Sequence, residues 1–217
     1  MENIEILAKN LVNYSCDLQK GEKVLIEAGD KAIPLVKEII RQVYKVKAYP
    51  FVRIINQSVQ RELLSNTSKE HSMLMAKYML PTIQDMDAYI GISASSNVFE
   101  MSKIDKDKMQ NYNIYYQKPI HHDERVKKTK WVILQYPTAS FAQQAGEPTE
   151  EFEKFYYNVC NLDYAKMNKS MDALKNLMEK TDKVKIISKG TDLEFSIKGI
   201  KAIKCAGEMN IPDGEVY

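Results

Sequence analysis

An acidic residue follows directly on a tight-turn signal in Pro212-Asp213-Gly214-Glu215-Val216-Tyr217. Proline pre-sets φ, aspartate tolerates the bend and glycine takes the left-handed position, so the segment has strong turn chemistry. Glu215, presented past such a turn at the head of a β-type Val-Tyr pair, is placed to hold a divalent cation. The residue types fit a hard or borderline ion. They fit a polar surface turn as well, and alone they form an incomplete ligand set.

Other constellations carry less. His121-His122-Asp123 has ligand residue types, but neighbouring side chains on an extended segment point to opposite faces. With the charged surroundings from Lys118 to Lys130, that favours a solvated loop over a metal site. His71 suits surface or core filling, and Met73, Met75 and Met79 suit core packing. Ser93-Ala94-Ser95-Ser96-Asn97 follows a buried strand, where α/β sheets place ligand loops. It lacks a glycine-rich phosphate signature and a Walker lysine, so a plain connection is favoured over nucleotide binding. Gly190-Thr191-Asp192-Leu193 indicates a hairpin turn. Cys16, Cys160 and Cys205 show no CxxC or Cys/His spacing, which argues against a structural zinc site. Their odd count and wide spacing suit reduced thiols of a cytosolic protein.

The elements that must position these residues begin with an amphipathic helix over Ile4 to Leu18 and a strand over Val24 to Ala28. Pro34 opens a second helix bearing Val36, Ile39, Ile40 and Val43, and Phe51 to Ile55 is the next strand. Strand, helix, strand with short connections is a βαβ unit and implies a parallel sheet. Helices follow over Val59 to Leu64 and over Glu70 to Met79, the latter stopped by Pro81. Strands are expected at Ala88 to Ile92 and Trp131 to Tyr136, with a partly regular, charged stretch from Lys103 to Lys128 between them. Glu150 to Lys180 is helical with a break near Asn161 and Asp163. From Val184 the pattern changes to short strands separated by Gly190 and Gly199, the chemistry of an antiparallel meander. The expected organisation is an α/β N-terminal domain with a parallel sheet over residues 1–182, then the opening strands of an incomplete second domain over 183–217.

Composition narrows the function. With 31 basic and 29 acidic residues the net charge is +2, which gives no electrostatic case for nucleic acid or an anionic membrane. The start Met1-Glu2-Asn3-Ile4-Glu5 lacks the basic and apolar regions of a secretory signal, and no apolar run approaches the ~20 residues of a membrane span. A cytoplasmic protein is expected.

Four segments, in order, carry a resemblance. They are Tyr136-Pro137-Thr138-Ala139 with Gln144-Ala145-Gly146, then Glu150-Glu151-Phe152-Glu153-Lys154-Phe155, then Lys189 to Ile197, then Gly207-Glu208-Met209-Asn210-Ile211-Pro212-Asp213-Gly214-Glu215-Val216. They closely resemble the thermophilic aminopeptidase family, the aminopeptidase T, aminopeptidase S and PepS group, as do Ile33 to Val36 and Tyr49 to Val52. The resemblance implies a metal-dependent exopeptidase that releases N-terminal residues from peptides. It implies two divalent metals per complete site (Zn, Co, Mn or Mg), with Glu215 as the first ligand. The strands after Lys183 lack the rest of their sheet and present unpaired edges, so a homodimer is expected. The family's other carboxylate and histidine ligands and its general base have no matching positions among these 217 residues. The chain is therefore expected to be a truncated aminopeptidase, inactive alone, with a non-catalytic α/β binding or dimerisation module as the alternative. At Lys45-Val46-Lys47-Ala48 the sequence departs from the glycine that family members often carry before the strand.

Overall fold

Four of the expected apolar runs pair in parallel in the computed structural model, which describes residues 2–217. They are β1 (Lys23–Gly29), β2 (Tyr49–Ile55), β3 (Ala88–Ser93) and β4 (Lys130–Gln135). A short parallel strand, β8 (Asn210–Ile211), joins β4, giving the order β2-β1-β3-β4-β8. The chain winds outward from β1 to β2 and then crosses to β3 on the other side. That reversal opens a crevice between the carboxyl ends of β1 and β3.

Period-two alternation sorts the strand side chains onto two faces. Ile26, Ile90 and Val132 point to one face and are fully buried under α1 (Glu2–Asn10), its π-helical extension Leu11–Ser15, α2 (Ile33–Lys45) and α8 (Thr149–Cys160). Pro34 lies in the first turn of α2, as expected. Leu25, Tyr89 and Trp131 point to the other face, beneath α4 (Lys69–Gln84) and the run from α5 (Lys106–Tyr112) through the π-helical Asn113–Arg125, which the exposed α6 (Val126–Lys128) continues. The connecting α3 (Gln57–Ser65) is capped by Asn56, whose side chain accepts from the Ser58 and Val59 amides. The sheet is therefore covered on both faces, as parallel sheets require.

Three local expectations are corrected. The α4 helix passes through Pro81 to Gln84: proline removes only its own amide bond, its φ suits a helix, and Ile83 beyond it is buried in the core. The charged stretch after Lys103 is largely helical, because Tyr112, Tyr116, Ile120 and Glu124 recur every fourth residue as a buried face between exposed charges. The meander is incomplete: β5 (Lys183–Ser188) and β6 (Thr191–Ser196) form a hairpin, while β7 (Lys204–Cys205) pairs antiparallel with β9 (Glu215–Val216). Gly199, at φ +80°, turns the chain away from β6. The helical break falls where expected, α8 ending at Cys160 and α9 (Tyr164–Ser170) starting after Asp163, whose carboxylate accepts from the Lys166 amide; α10 (Asp172–Lys180) follows. One further helix, α7 (Ala139–Ala145), closes on Gly146 at φ +72°.

Lys47 keeps the turn before β2 in a glycine-like conformation, at φ +62°. Its amide donates to the Tyr44 carbonyl at 3.0 Å and its carbonyl accepts from Gly21 at 2.9 Å, so the backbone holds the strain in place. A left-handed non-glycine residue costs about 1–2 kcal/mol, partly offset by the greater unfolded-state freedom of glycine. Lys47→Gly is expected to stabilise the fold by about 0.5–1 kcal/mol in urea unfolding, without changing the slope of the transition.

Candidate metal centre

The pairing of β8 with β4 delivers the Pro212-Asp213-Gly214-Glu215 turn to the carboxyl edge of the sheet. Beyond the turn β9 folds back on β7, and the register sets Cys205 directly opposite Glu215. Directly opposed residues of an antiparallel pair project to the same face, with Cβ atoms roughly 5 Å apart. Asp213 completes the group: one donor atom each from Cys205, Asp213 and Glu215 lie within 4.8 Å of one another.

Backbone hydrogen bonds hold Asp213 in position. Its Oδ2 accepts from the Gly207 amide at 2.7 Å and its Oδ1 from the Gly214 amide at 3.1 Å. Glu208 Oε2 accepts from the Ala206 amide at 3.0 Å. Lys204 Nζ fastens β7 to the helices below, donating to Asp172 Oδ1 at 2.6 Å and to the Asn168 carbonyl at 3.0 Å. Gly207 lies so close to the Tyr164 ring that a Cβ there would stand 2.8 Å away, and its φ of +90° also calls for glycine. Burial raises the Cys205 thiol above its usual value, and the carboxylates of Asp213, Glu215 and Glu208 push it the same way. Convergent acceptors that repel a further negative charge favour a cation, and a thiol with two carboxylates is a donor set for a borderline divalent ion. The residues fit a divalent metal.

Cys205 had no signal in the sequence, because its proximity to Glu215 depends on strand register rather than on spacing. Glu215, the ligand expected from the sequence, is an exposed carboxylate at the head of β9.

A cavity of about 770 Å³ lies at the same edge of the sheet, lined by Glu27, Gly29, Tyr89, Phe152, Tyr156 and Pro212 among others. Glu27 meets Arg53 at 2.8 Å, and Arg53 Nη1 donates to the Tyr116 hydroxyl at 2.9 Å. Burial raises the Glu27 carboxyl above its usual value, with Arg53 opposing the shift. The Arg125 guanidinium stands 5.0 Å from the Tyr89 ring centre and 4.6 Å from that of Trp131. Among the described residues its Nε and Nη1 are buried without a hydrogen-bond partner, so the two aromatic faces are its compensation.

His121 and His122 do not share a ligand position. They lie on the π-helical run, not in an extended loop, with His121 turned inward edge-on to Tyr89 at 5.8 Å and His122 exposed. Asp123 is paired with Lys118 at 2.6 Å and Lys127 at 3.1 Å. Of the three methionines, Met75 and Met79 pack against the core, whereas Met73 is exposed on the outer face of α4. The Ser93 to Asn97 loop is committed internally: Ser95 donates to Gln57 at 2.8 Å, and the Ser95 carbonyl accepts from the Thr138 hydroxyl at 2.7 Å and the Ser140 hydroxyl at 2.5 Å.

The chain belongs to the thermophilic metalloprotease (M29) family, whose profile matches residues 1–217. That membership implies use of divalent metal. Its structure is similar to wild-type AmpT from Thermus thermophilus at a TM-score of 0.76 and 18% identity, covering 99% of this chain and 60% of that one. At that identity the likeness establishes the fold, a parallel α/β sheet flanked by helices, and this chain spans 60% of AmpT's length. A LacI-family transcription repressor from Corynebacterium glutamicum aligns at a TM-score of only 0.32 with 13% identity, covering 72% of this chain and 52% of that one, and carries no argument. No curated protein matches the sequence.

The half-buried His121 gives the fold a pH dependence. Burial, with Arg125 and Arg53 nearby, lowers His121 from 6.5 to about 4. The unfolded chain takes up its proton near 6.5 and the folded chain only near 4, so stability falls as pH drops through that window. Glu27 acts in the opposite sense, since a raised carboxyl contributes stability at low pH that is lost as pH rises. His121→Gln removes the first effect alone. Urea midpoints at about pH 7 and about pH 5 are expected to differ more for the parent chain than for H121Q.

Proposed function

We propose that this chain is part of a metal-dependent aminopeptidase that removes N-terminal residues from peptides, with Glu215 as the first ligand of a two-metal site. The observation that carries the proposal is the family match over the whole sequence together with the convergence of Glu215, Asp213 and Cys205 at the carboxyl edge of the sheet. Bound divalent ions would polarise the scissile carbonyl and acidify a water molecule. The chain's own contribution is to present the Glu215 carboxylate on a rigid two-strand ladder, closed by Ile203 and Tyr217, whose backbones exchange hydrogen bonds of 2.6 and 3.0 Å.

Among the described residues this is the one group of three or more metal-ligating side chains. Two ions and a general base call for donors beyond it, and inactivity of the 217 residues by themselves is part of the proposal. Cytoplasmic residence is part of the proposal, supported by three free cysteines. No helix among the described residues is long and apolar enough to cross a membrane. Self-association to a dimer is proposed from the β5–β6 hairpin, which exposes Ile186, Ile187, Leu193 and Phe195.

Equilibrium dialysis with Zn²⁺, Co²⁺ and Mn²⁺ tests the assignment. Glu215→Gln is expected to weaken binding by about tenfold or more, since a charged oxygen donor becomes a neutral one. Unchanged binding in a folded E215Q chain would remove Glu215 from the site. Release of free amino acids from unblocked peptides by the mass-verified chain would overturn its inactivity alone.

A further inference from the structure

We propose that Cys205 is a thiolate ligand of the cation held by Glu215, and that it biases the site toward Zn²⁺ or Co²⁺ over Mg²⁺ or Mn²⁺. The inference rests on the assignment of Glu215 as a ligand and adds the sulfur donor and the choice of metal.

Cys205 and Glu215 are register partners on opposed strands, so their side chains share a face by backbone geometry rather than by a chance rotamer. Asp213 is held by the Gly207 and Gly214 amides at the near side of that face. Donors around one tetrahedral zinc ion stand roughly 3.3–3.8 Å apart, given metal–sulfur and metal–oxygen distances of about 2.3 and 2.1 Å. The three donors already lie within 4.8 Å of one another, so side-chain rotation by about an ångström closes the set. Cys205 is only partly buried, which leaves its sulfur reachable, whereas Cys16 and Cys160 are fully enclosed in the apolar core.

Binding breaks the S–H bond, forms a metal–sulfur bond and passes the proton to the buffer; no redox change is involved. A thiolate with two carboxylates is softer than the all-oxygen sets that suit Mg²⁺ and Mn²⁺.

Cobalt substitution separates the sulfur ligand from the site itself. Titrating the full 217-residue chain with Co²⁺ is expected to give a sulfur-to-cobalt charge-transfer band in the near ultraviolet together with visible ligand-field bands. In Cys205→Ser the charge-transfer band is expected to vanish while the ligand-field bands persist. Zn²⁺ affinity is expected to fall by about tenfold or more in C205S and Mn²⁺ affinity to change by less than about threefold. Circular dichroism checks that the variant is folded. Cobalt bound without a charge-transfer band, or with one that persists in C205S, overturns the thiolate ligand and leaves Glu215 in place. Absence of bound cobalt by dialysis overturns both. If the serine variant fails to fold, the parent chain's charge-transfer band and its quenching by thiol alkylation at Cys205, mapped by mass spectrometry, decide the matter.

Discussion

Two residues of strand pairing tether the candidate centre to the body of the protein. Ile133 donates to the Met209 carbonyl at 3.0 Å, Leu134 partners Ile211, and Ile211 is buried in the main core. Burying one isoleucine contributes about 1.5–3 kcal/mol, enough to hold a short strand against the loss of chain freedom over a few residues. Everything after it follows from where β8 ends. The turn projects from the carboxyl edge, β9 returns along β7, and Cys205 and Glu215 become neighbours. Lys204 and the close approach of Gly207 to Tyr164 secure the other side of the ladder, so helices α9 and α10 also share in positioning the donors.

The two faces of the sheet serve different ends. The face under α1, α2 and α8 is apolar almost throughout and supplies the main core. The other carries Glu27 and Arg53 on adjacent strands, in register, with Tyr116 completing the pair. Burying charge is costly even when paired, and a pair of this kind is weak support for stability. Here it lies at the strand ends beside the crevice, where the helical cover thins and Ile133 is 41% exposed. In open α/β sheets ligands bind in the crevice at that edge.

Much of this was legible in the sequence because apolar periodicity and punctuation agreed. All four long strands and the α2 helix behind Pro34 lie where the pattern put them, and their parallel pairing followed from the short βαβ spacing. The helical run after Lys106 was hidden because its buried face recurs every four residues, a π-like period, among charged neighbours. Pro81 misled because a proline near a helix end removes a single hydrogen bond and need not stop the helix. Glu215 was visible as a carboxylate after a turn. Its partnership with Cys205 was not, since register between two two-residue strands leaves no periodic trace. The motif resemblance to the family was confirmed across the whole chain, while cysteine spacing had argued only against a structural zinc site.

The stacked guanidinium of Arg125 has an optical consequence. Trp131 is the chain's single tryptophan, and its indole lies against that cation on the sheet face covered by the π-helical run. Emission from this one residue therefore reports whether the helical layer is seated on β4. Lifting Arg125 away would replace a charged, rigid neighbour with water, without any added label. The side chain that compensates a buried cation thus doubles as a built-in gauge of layer separation.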